Sequence, residues 1–268
     1  MRAIVAIDDL WGIGNNGNLL FKIREDMQFF KKITTGKVVI MGRKTLDSLP
    51  NGEPLENRIN LVITSEPRED YNNVIFGDID KINEVIKNYD TNNIFVIGGE
   101  SIYEQFLHRC DTVYVTHNKA IYKADTHMPN LAFEGFIPKQ VVDQGINAYG
   151  EEWVIEEWVT SECQPYNSVL WFNDLNNKIL FLYHNDDSEY WKKVYSGQFY
   201  KLRNDFKIRL LQFISSNDLN NVTTKINNYY RSEIHSVKGN NVLRLASFGA
   251  TEKEAEHNLI QTITELLA

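Results

Sequence analysis

The sequence predicts an α/β fold over residues 1–160, a mainly parallel sheet with flanking helices, followed by a smaller α+β unit over residues 161–268. Short apolar runs alternate with helical patterns through the first part. Those runs are apolar on both faces, as strands buried between helical layers must be. The charge is also unevenly placed. Residues 1–160 hold 16 Lys+Arg against 24 Asp+Glu, whereas the remainder holds 12 of each, so the whole net charge of -8 belongs to the first part. Two units with different surfaces follow. An acidic first unit also argues against general nucleic-acid binding, which needs a basic face.

The elements read in order as RAIVAI (residues 2–7), a glycine-rich turn GIGNNGN, and a helix within LLFKIREDMQFFKKI (19–33). Next come VVIMG, a short helix from Arg43, INLVIT, NVIF, a helix near 78–88, IFVIG, a helix from Gly99, and TVYVTH. KQVVDQ and WVIEEWV, separated by the turn-prone GINAYGEE, read as an antiparallel hairpin closing the sheet edge. ECQPYN (162–167) marks the junction. Beyond it, SVLWF and KILFLYH flank the turn NDLNN, a helix is expected over 188–215, and TKINNYYRSEI precedes VLRLASFG. Thr251 and Glu254 form a capping box for the last helix.

With 268 residues, 43% hydrophobic and 24% charged, the composition is that of a globular protein. There is no apolar run of about 18 residues, and MRAIVAIDDLWG is too short in its apolar core for a signal peptide. A cytoplasmic protein without membrane contact is expected. Cys110 and Cys163 stand alone, and the six histidines show no metal-binding spacing, so neither disulfide nor metal is expected. The stretch at 190–210 interleaves aromatics with Lys and Arg, which reads as an amphipathic helix with a solvated basic face.

Three segments carry chemistry. In the opening helix, spacing of three and four places Ile23, Asp26, Phe30 and Ile33 on one face, so a single acid interrupts an apolar stripe. Position alone would make Asp26 a helix-start acid favoured by the dipole. In IMGRKT, Gly42 permits a sharp turn into a helix that offers free amides with Arg43, Lys44 and Thr45 to an anion. In FVIGGESIYEQF, Gly98 and Gly99 do the same at another strand end. The Rossmann pattern G-x-G-x-x-G is missing from the first strand-to-helix turn.

Taken in order, RAIVAI, GIGNNGNLLF, EDMQFFKK, VVIMGRKT, FVIGG-x-x-IYEQF, YVTH and ADTHMP resemble the dihydrofolate reductase family over residues 1–160. The resemblance implies an eight-stranded, mainly parallel sheet and NADPH-dependent reduction of 7,8-dihydrofolate to tetrahydrofolate, serving one-carbon metabolism. It implies dihydrofolate and antifolate-like small molecules as ligands. Asp26 then matches the family's active-site acid, with Phe21, Thr116 and Tyr103 completing the catalytic set. Ile4, Val5, Met27, Phe30, Lys31, Leu49 and Ile97 match substrate-pocket positions, and Arg58 matches the arginine that grips the glutamate carboxylate, a task suited to a bidentate guanidinium. For NADPH, the resemblance implies Ala6, Ile13, Gly14, Asn18, Leu19, Gly42, Arg43, Lys44, Thr45 and Ser48. It adds Thr64, Ser65, Ile97, Gly98, Gly99, Glu100, Ser101, Ile102, Tyr103 and Thr126, with Asp125 bracing the loop from Gly14 to Leu20.

The chain departs from the family at several of these positions. Leu20-Phe21 stands where the family has Pro-Trp, Arg24 where it has another proline, and Glu100-Ser101 where a third glycine and a phosphate-binding arginine occur. The lost indole removes a hydrogen-bond donor near the pterin. Two alternatives stay open at this level: a riboflavin-pathway-type reductase, and a reductase-like binding or scaffold protein acting through its second unit, as a homodimer or with a protein partner.

Overall fold

The computed structural model describes residues 1–160, 168–173, 179–184, 221–226, 229–238 and 241–267. The chain divides into two compact units, Met1–Thr160 and Ser161–Ala268. In chain order the first unit forms β1 (Arg2–Ile7), β2 (Gly12–Asn15), β3 (Asn18–Leu19), α1 (Arg24–Thr34), β4 (Val38–Gly42), α2 (Arg43–Ser48), β5 (Ile59–Ile63) and β6 (Val74–Gly77). It continues with α3 (Ile79–Ile86), β7 (Ile94–Gly98), α4 (Glu100–Phe106), β8 (Thr112–Asn118), β9 (Thr126–His127), β10 (Phe136–Ile146) and β11 (Glu152–Thr160).

Eight of these strands make one sheet in the order β10-β11-β8-β1-β7-β4-β5-β6. Five of its seven neighbour pairings are parallel, and only β11, with β8 on one side and β10 on the other, runs against its neighbours. The central strands are inaccessible on both faces: Val39, Ile40 and Met41 in β4 and Val96 in β7 have no exposed surface. Their branched and bulky side chains therefore face helices on either side, which is why the sequence shows unbroken apolar runs rather than alternation. At the edge, β10 carries Pro138, Lys139 and two register shifts, features that discourage pairing with another chain.

Where the sequence suggests a glycine-rich turn, the chain instead forms a second, three-stranded sheet, β3-β2-β9. Asn16 and Gly17, both at positive φ, make the tight turn between β2 and β3. Gly14 is required in β2 by close approach, because a Cβ there would lie 2.8 Å from Thr126 Oγ1.

Both ends of the first unit converge on one residue. The Met1 amino group lies 3.3 Å from Asp111 Oδ2, and Thr160 N donates to Asp111 O at 3.0 Å. With the sheet closed at that point, a chain ending at Thr160 is expected to fold cooperatively. A single sharp thermal transition by circular dichroism checks this, and an aggregated or unfolded product would contradict it.

The second unit is described through β12 (Ser168–Asn173), β13 (Ile179–His184), β14 (Asn221–Ile226), β15 (Tyr229–Lys238), β16 (Asn241–Gly249) and α5 (Glu252–Leu267). These strands form an antiparallel sheet, β13-β12-β16-β15-β14, and α5 packs on β15 and β16 through the buried Ala255 and Leu259. Gly249 lets the chain turn into the helix where any Cβ would collide with the Ala255 amide. The capping box is half as expected. Thr251 Oγ1 accepts from Glu254 N at 3.2 Å, but the Glu254 carboxylate accepts from Ala250 N, one residue earlier than the usual reciprocal bond. The junction at 162–167, the helix expected over 188–215 and the basic aromatic stretch at 190–210 lie outside the described residues.

Candidate active site

The site lies along the carboxyl-terminal half of the central strands, where α1 crosses the sheet. Ile23 caps α1 and is buried, so the helix begins with its apolar side pinned down and Asp26 enters its first turn facing the sheet. Thr116, from β8, donates its hydroxyl to Asp26 Oδ1 at 2.6 Å. Burial pushes the Asp26 carboxyl above its ordinary range, and the Thr116 bond only partly offsets this. Asp26 is thus no solvated helix-start acid. Among the described residues its second oxygen, Oδ2, has no hydrogen-bond partner, so it is free to accept from a ligand.

Around the carboxylate the surface is apolar. Ile4 from β1, Phe30 from α1, Leu49 after α2 and Ile97 from β7 join one cluster with Met41, Phe29 and Leu55. Val5 and Ala6 continue β1, Ala6 in register with Thr116. Tyr103 is buried in α4 and donates its hydroxyl to Ile4 O at 2.7 Å; burial, with the nearby Asp26 charge, keeps that phenol protonated. Met27 and Lys31 lie on the exposed side of α1.

Arg58 is 8% exposed, and its guanidinium sits 5.9 Å over the Phe30 ring at the end of this cluster. It donates to Thr34 Oγ1, Glu56 O and Lys31 O, and no carboxylate pairs with it among the described residues. Burial lowers its pKa. A buried cation without a counter-ion suits an anionic ligand.

The two glycine turns stand side by side because β4 neighbours β7. Gly98 has φ +110°, is joined to Gly99 by a cis peptide bond, and has the Tyr103 ring 3.1 Å from where a Cβ would be. The corresponding point at Gly99 lies 3.5 Å from Thr45 Oγ1, so α2 and α4 start against one another. Ile102 packs behind Gly42, while Glu100 and Ser101 open α4. Arg43 is engaged, by Asp47 at 2.7 Å and Glu66 at 3.8 Å. Lys44 is exposed with no ion pair among the described residues. Ser48 Oγ donates to Thr45 O and Thr64 Oγ1 accepts from Glu66 N, so both hydroxyls serve local turns, and Ser65 is exposed.

The segment from Ile13 to Phe21 leads into α1. Asp125 Oδ2 accepts from Asn16 N at 2.7 Å, Asp125 N donates to Gly14 O, and Gly14 pairs with Thr126, which together tie the β2–β3 turn to β9. Asn18 closes the same turn through Asn16 O, and Leu19 is 57% exposed. Phe21 packs with Ile23, Trp153 and Ile155.

The family model for dihydrofolate reductase matches residues 1–148. The chain belongs to the dihydrofolate reductase family. It is 31% identical over 149 residues to the dihydrofolate reductase of Schistosoma mansoni, covering 50% of this chain and 80% of that protein. It is 37% identical over 129 residues to the bifunctional dihydrofolate reductase-thymidylate synthase of Paramecium tetraurelia, covering 47% of this chain but 27% of that longer protein. In structure it is similar to the dihydrofolate reductase of Enterococcus faecalis complexed with NADP(H) and RAB-propyl, at 25% identity and a TM-score of 0.53, covering 60% of this chain and 96% of that one. Among the described residues no group of three or more His, Cys, Asp or Glu is arranged to hold a metal, and no helix is long and apolar enough to cross a membrane.

Sequence reasoning missed several residues around this site. Asp8 is fully buried and accepts from the amides of Leu10, Gly12 and Tyr122, which fixes the chain as it enters β2. Its signal was present, an acid directly after a buried strand. Tyr122 and Glu151 gave none, since they meet across 29 positions of sequence.

Proposed function

We propose that this chain reduces dihydrofolate to tetrahydrofolate with NADPH as the hydride donor. The observation that carries the reading is the Asp26 carboxylate, oriented by Thr116 and enclosed by Ile4, Phe30 and Leu49. In such surroundings a carboxylate that accepts from a pterin's 2-amino group and N3 side raises the proton affinity of the ring, as an opposite charge in low dielectric does. Thr116 occupies Oδ1 and so presents Oδ2 to the substrate. Arg58 then takes the glutamate carboxylate at the far end of the apolar cluster.

The residues present fit the nucleotide. Gly98 and Gly99 leave a strand end without Cβ atoms, Gly42 brings a second helix start beside it, and Arg43 with Lys44 supplies positive charge. NADPH brings the hydride; the chain's part is to hold it beside the pterin, exclude water and favour the protonated ring.

Spectrophotometric NADPH consumption with dihydrofolate tests the reading, and no turnover by the full-length chain would end it. The same assay tests cofactor choice. Charge-assisted contacts contribute about 1.5–3 kcal/mol each, so NADPH is expected to win over NADH by about tenfold or more. Asp47 and Glu66 already share Arg43, which leaves Lys44 as the less encumbered cation. The double variant Arg43→Ala, Lys44→Ala should erase most of the preference, and an unchanged ratio would place the 2'-phosphate elsewhere.

A further inference from the structure

Phe21 sits two residues before Ile23, the cap of α1, and five before Asp26. One side of its ring rests on Ile23, Trp153 and Ile155, and Ile155 lies in register with Thr116, the partner of Asp26. The ring also meets Tyr122, with ring centroids 5.6 Å apart and planes inclined by 37°. Where Phe21 rests therefore decides how α1 begins.

Tyr122 is held from both ends. Its main-chain N donates to the buried Asp8 at 2.9 Å, and its hydroxyl donates to Glu151 Oε2 at 2.5 Å. That oxygen also accepts from Asn118 Nδ2 at 2.8 Å and Asn147 Nδ2 at 2.7 Å. Asn118 is itself fully buried, two residues after Thr116 on β8. Tyr122, Asn118 and Asn147 hold the Glu151 carboxyl below its usual range, so it stays ionised and the network stays formed across the working pH.

We propose that Tyr122 is a positioning residue for the reaction: it fixes Phe21, and through Phe21 the start of the helix that carries Asp26, so that the β10–β11 turn sets the alignment of the acid from outside the substrate cleft. The proposal rests on the reading of the site as a dihydrofolate reductase site. It accounts for a chain with Leu20, Phe21 and Arg24 in place of stiffer residues. An external support supplies the rigidity that the segment lacks.

The test uses the full-length chain with Tyr122→Leu, which removes ring and hydroxyl, Tyr122→Phe, which keeps the ring, and Glu151→Gln. Misplacement by about 1 Å costs up to about 10²-fold in rate. Tyr122→Leu is therefore expected to lower kcat about tenfold or more, with KM for dihydrofolate changed by less than about threefold. Tyr122→Phe should recover most of that loss, and Glu151→Gln should resemble Tyr122→Phe. Amide hydrogen exchange should rise in Tyr122→Leu over residues 19–26 while β1 and β4 keep their protection. Unchanged kcat and unchanged exchange in a folded Tyr122→Leu protein would overturn the proposal, as would exchange raised equally throughout the unit, or a Phe variant no better than Leu. If the wild-type chain turns over no dihydrofolate, the functional reading fails, and the exchange measurement still decides whether Tyr122 holds the start of α1.

Discussion

Replacing Asp26 with Asn is expected to slow hydride transfer about 10²- to 10⁴-fold near pH 7, the usual range for a positioned acid-base group, with the fold intact. The amide keeps an oxygen for the Thr116 hydroxyl, so α1 stays against β8. What it lacks is charge. A neutral imine accepts hydride poorly until N5 is protonated, and a desolvated carboxylate favours that proton where an amide does not. Because acid can protonate the substrate beforehand, the variant should regain rate as pH falls, and stopped-flow traces from pH 5 to 9 would show it. A full-rate, pH-independent step in the Asn variant would return Asp26 to the role of a helix-start acid.

The same substitution should stabilise the free protein. Burial raises the Asp26 carboxyl above its unfolded range near about pH 3.9. Between the unfolded and folded values the folded state holds a proton that the unfolded chain has released, so stability falls as pH rises through that window. Asn does not titrate. Its advantage in urea midpoint over the wild type should therefore be absent below the unfolded value, grow through the window and level off above the folded value.

Arg58→Leu is expected to raise KM for dihydrofolate about 10- to 100-fold, the equivalent of losing one charge-assisted pair of about 1.5–3 kcal/mol, with kcat changed far less. The guanidinium lies beyond Phe30, away from Asp26, so it binds substrate and transition state alike. Stability should fall too, since Thr34 Oγ1, Lys31 O and Glu56 O all lose a donor. Dihydropteroate, which lacks the glutamate, separates the effects: its KM should not respond to Arg58→Leu. Arg58→Lys keeps charge but not the fork and should fall between. An equal KM penalty on both substrates would mean that Arg58 only supports α1.

The strands of the sheet were legible because burial on both faces leaves an unbroken apolar record, as in VVIMG and IFVIG. Asp26 stood out for a related reason, one acid in an apolar helical stripe, but only the resemblance gave it a role beyond that of a helix-start acid. Arg58 shows the limit. Its residue type marked it, yet its hydrogen bonds go to the carbonyls of Lys31 and Glu56, which no side-chain pattern records. The β3-β2-β9 sheet escaped because strands this short carry no period, so only the Asn16-Gly17 turn betrayed it. Arg43 shows another limit: Asp47, four residues on, stands at ion-pair spacing on a helix and engages it, which the residue type alone does not reveal.

Met1 and Thr160 meet at Asp111, at the end of the sheet where β1 and β8 begin, whereas Gly42 and Gly98 turn at the end where β4 and β7 finish. Both termini of the first unit therefore lie at the end of its sheet opposite the two glycine turns, and they share no residue with them. Such an arrangement makes the unit a tolerant fusion partner. Swapping whatever follows Thr160 for an unrelated soluble domain should leave KM for both small molecules as it was.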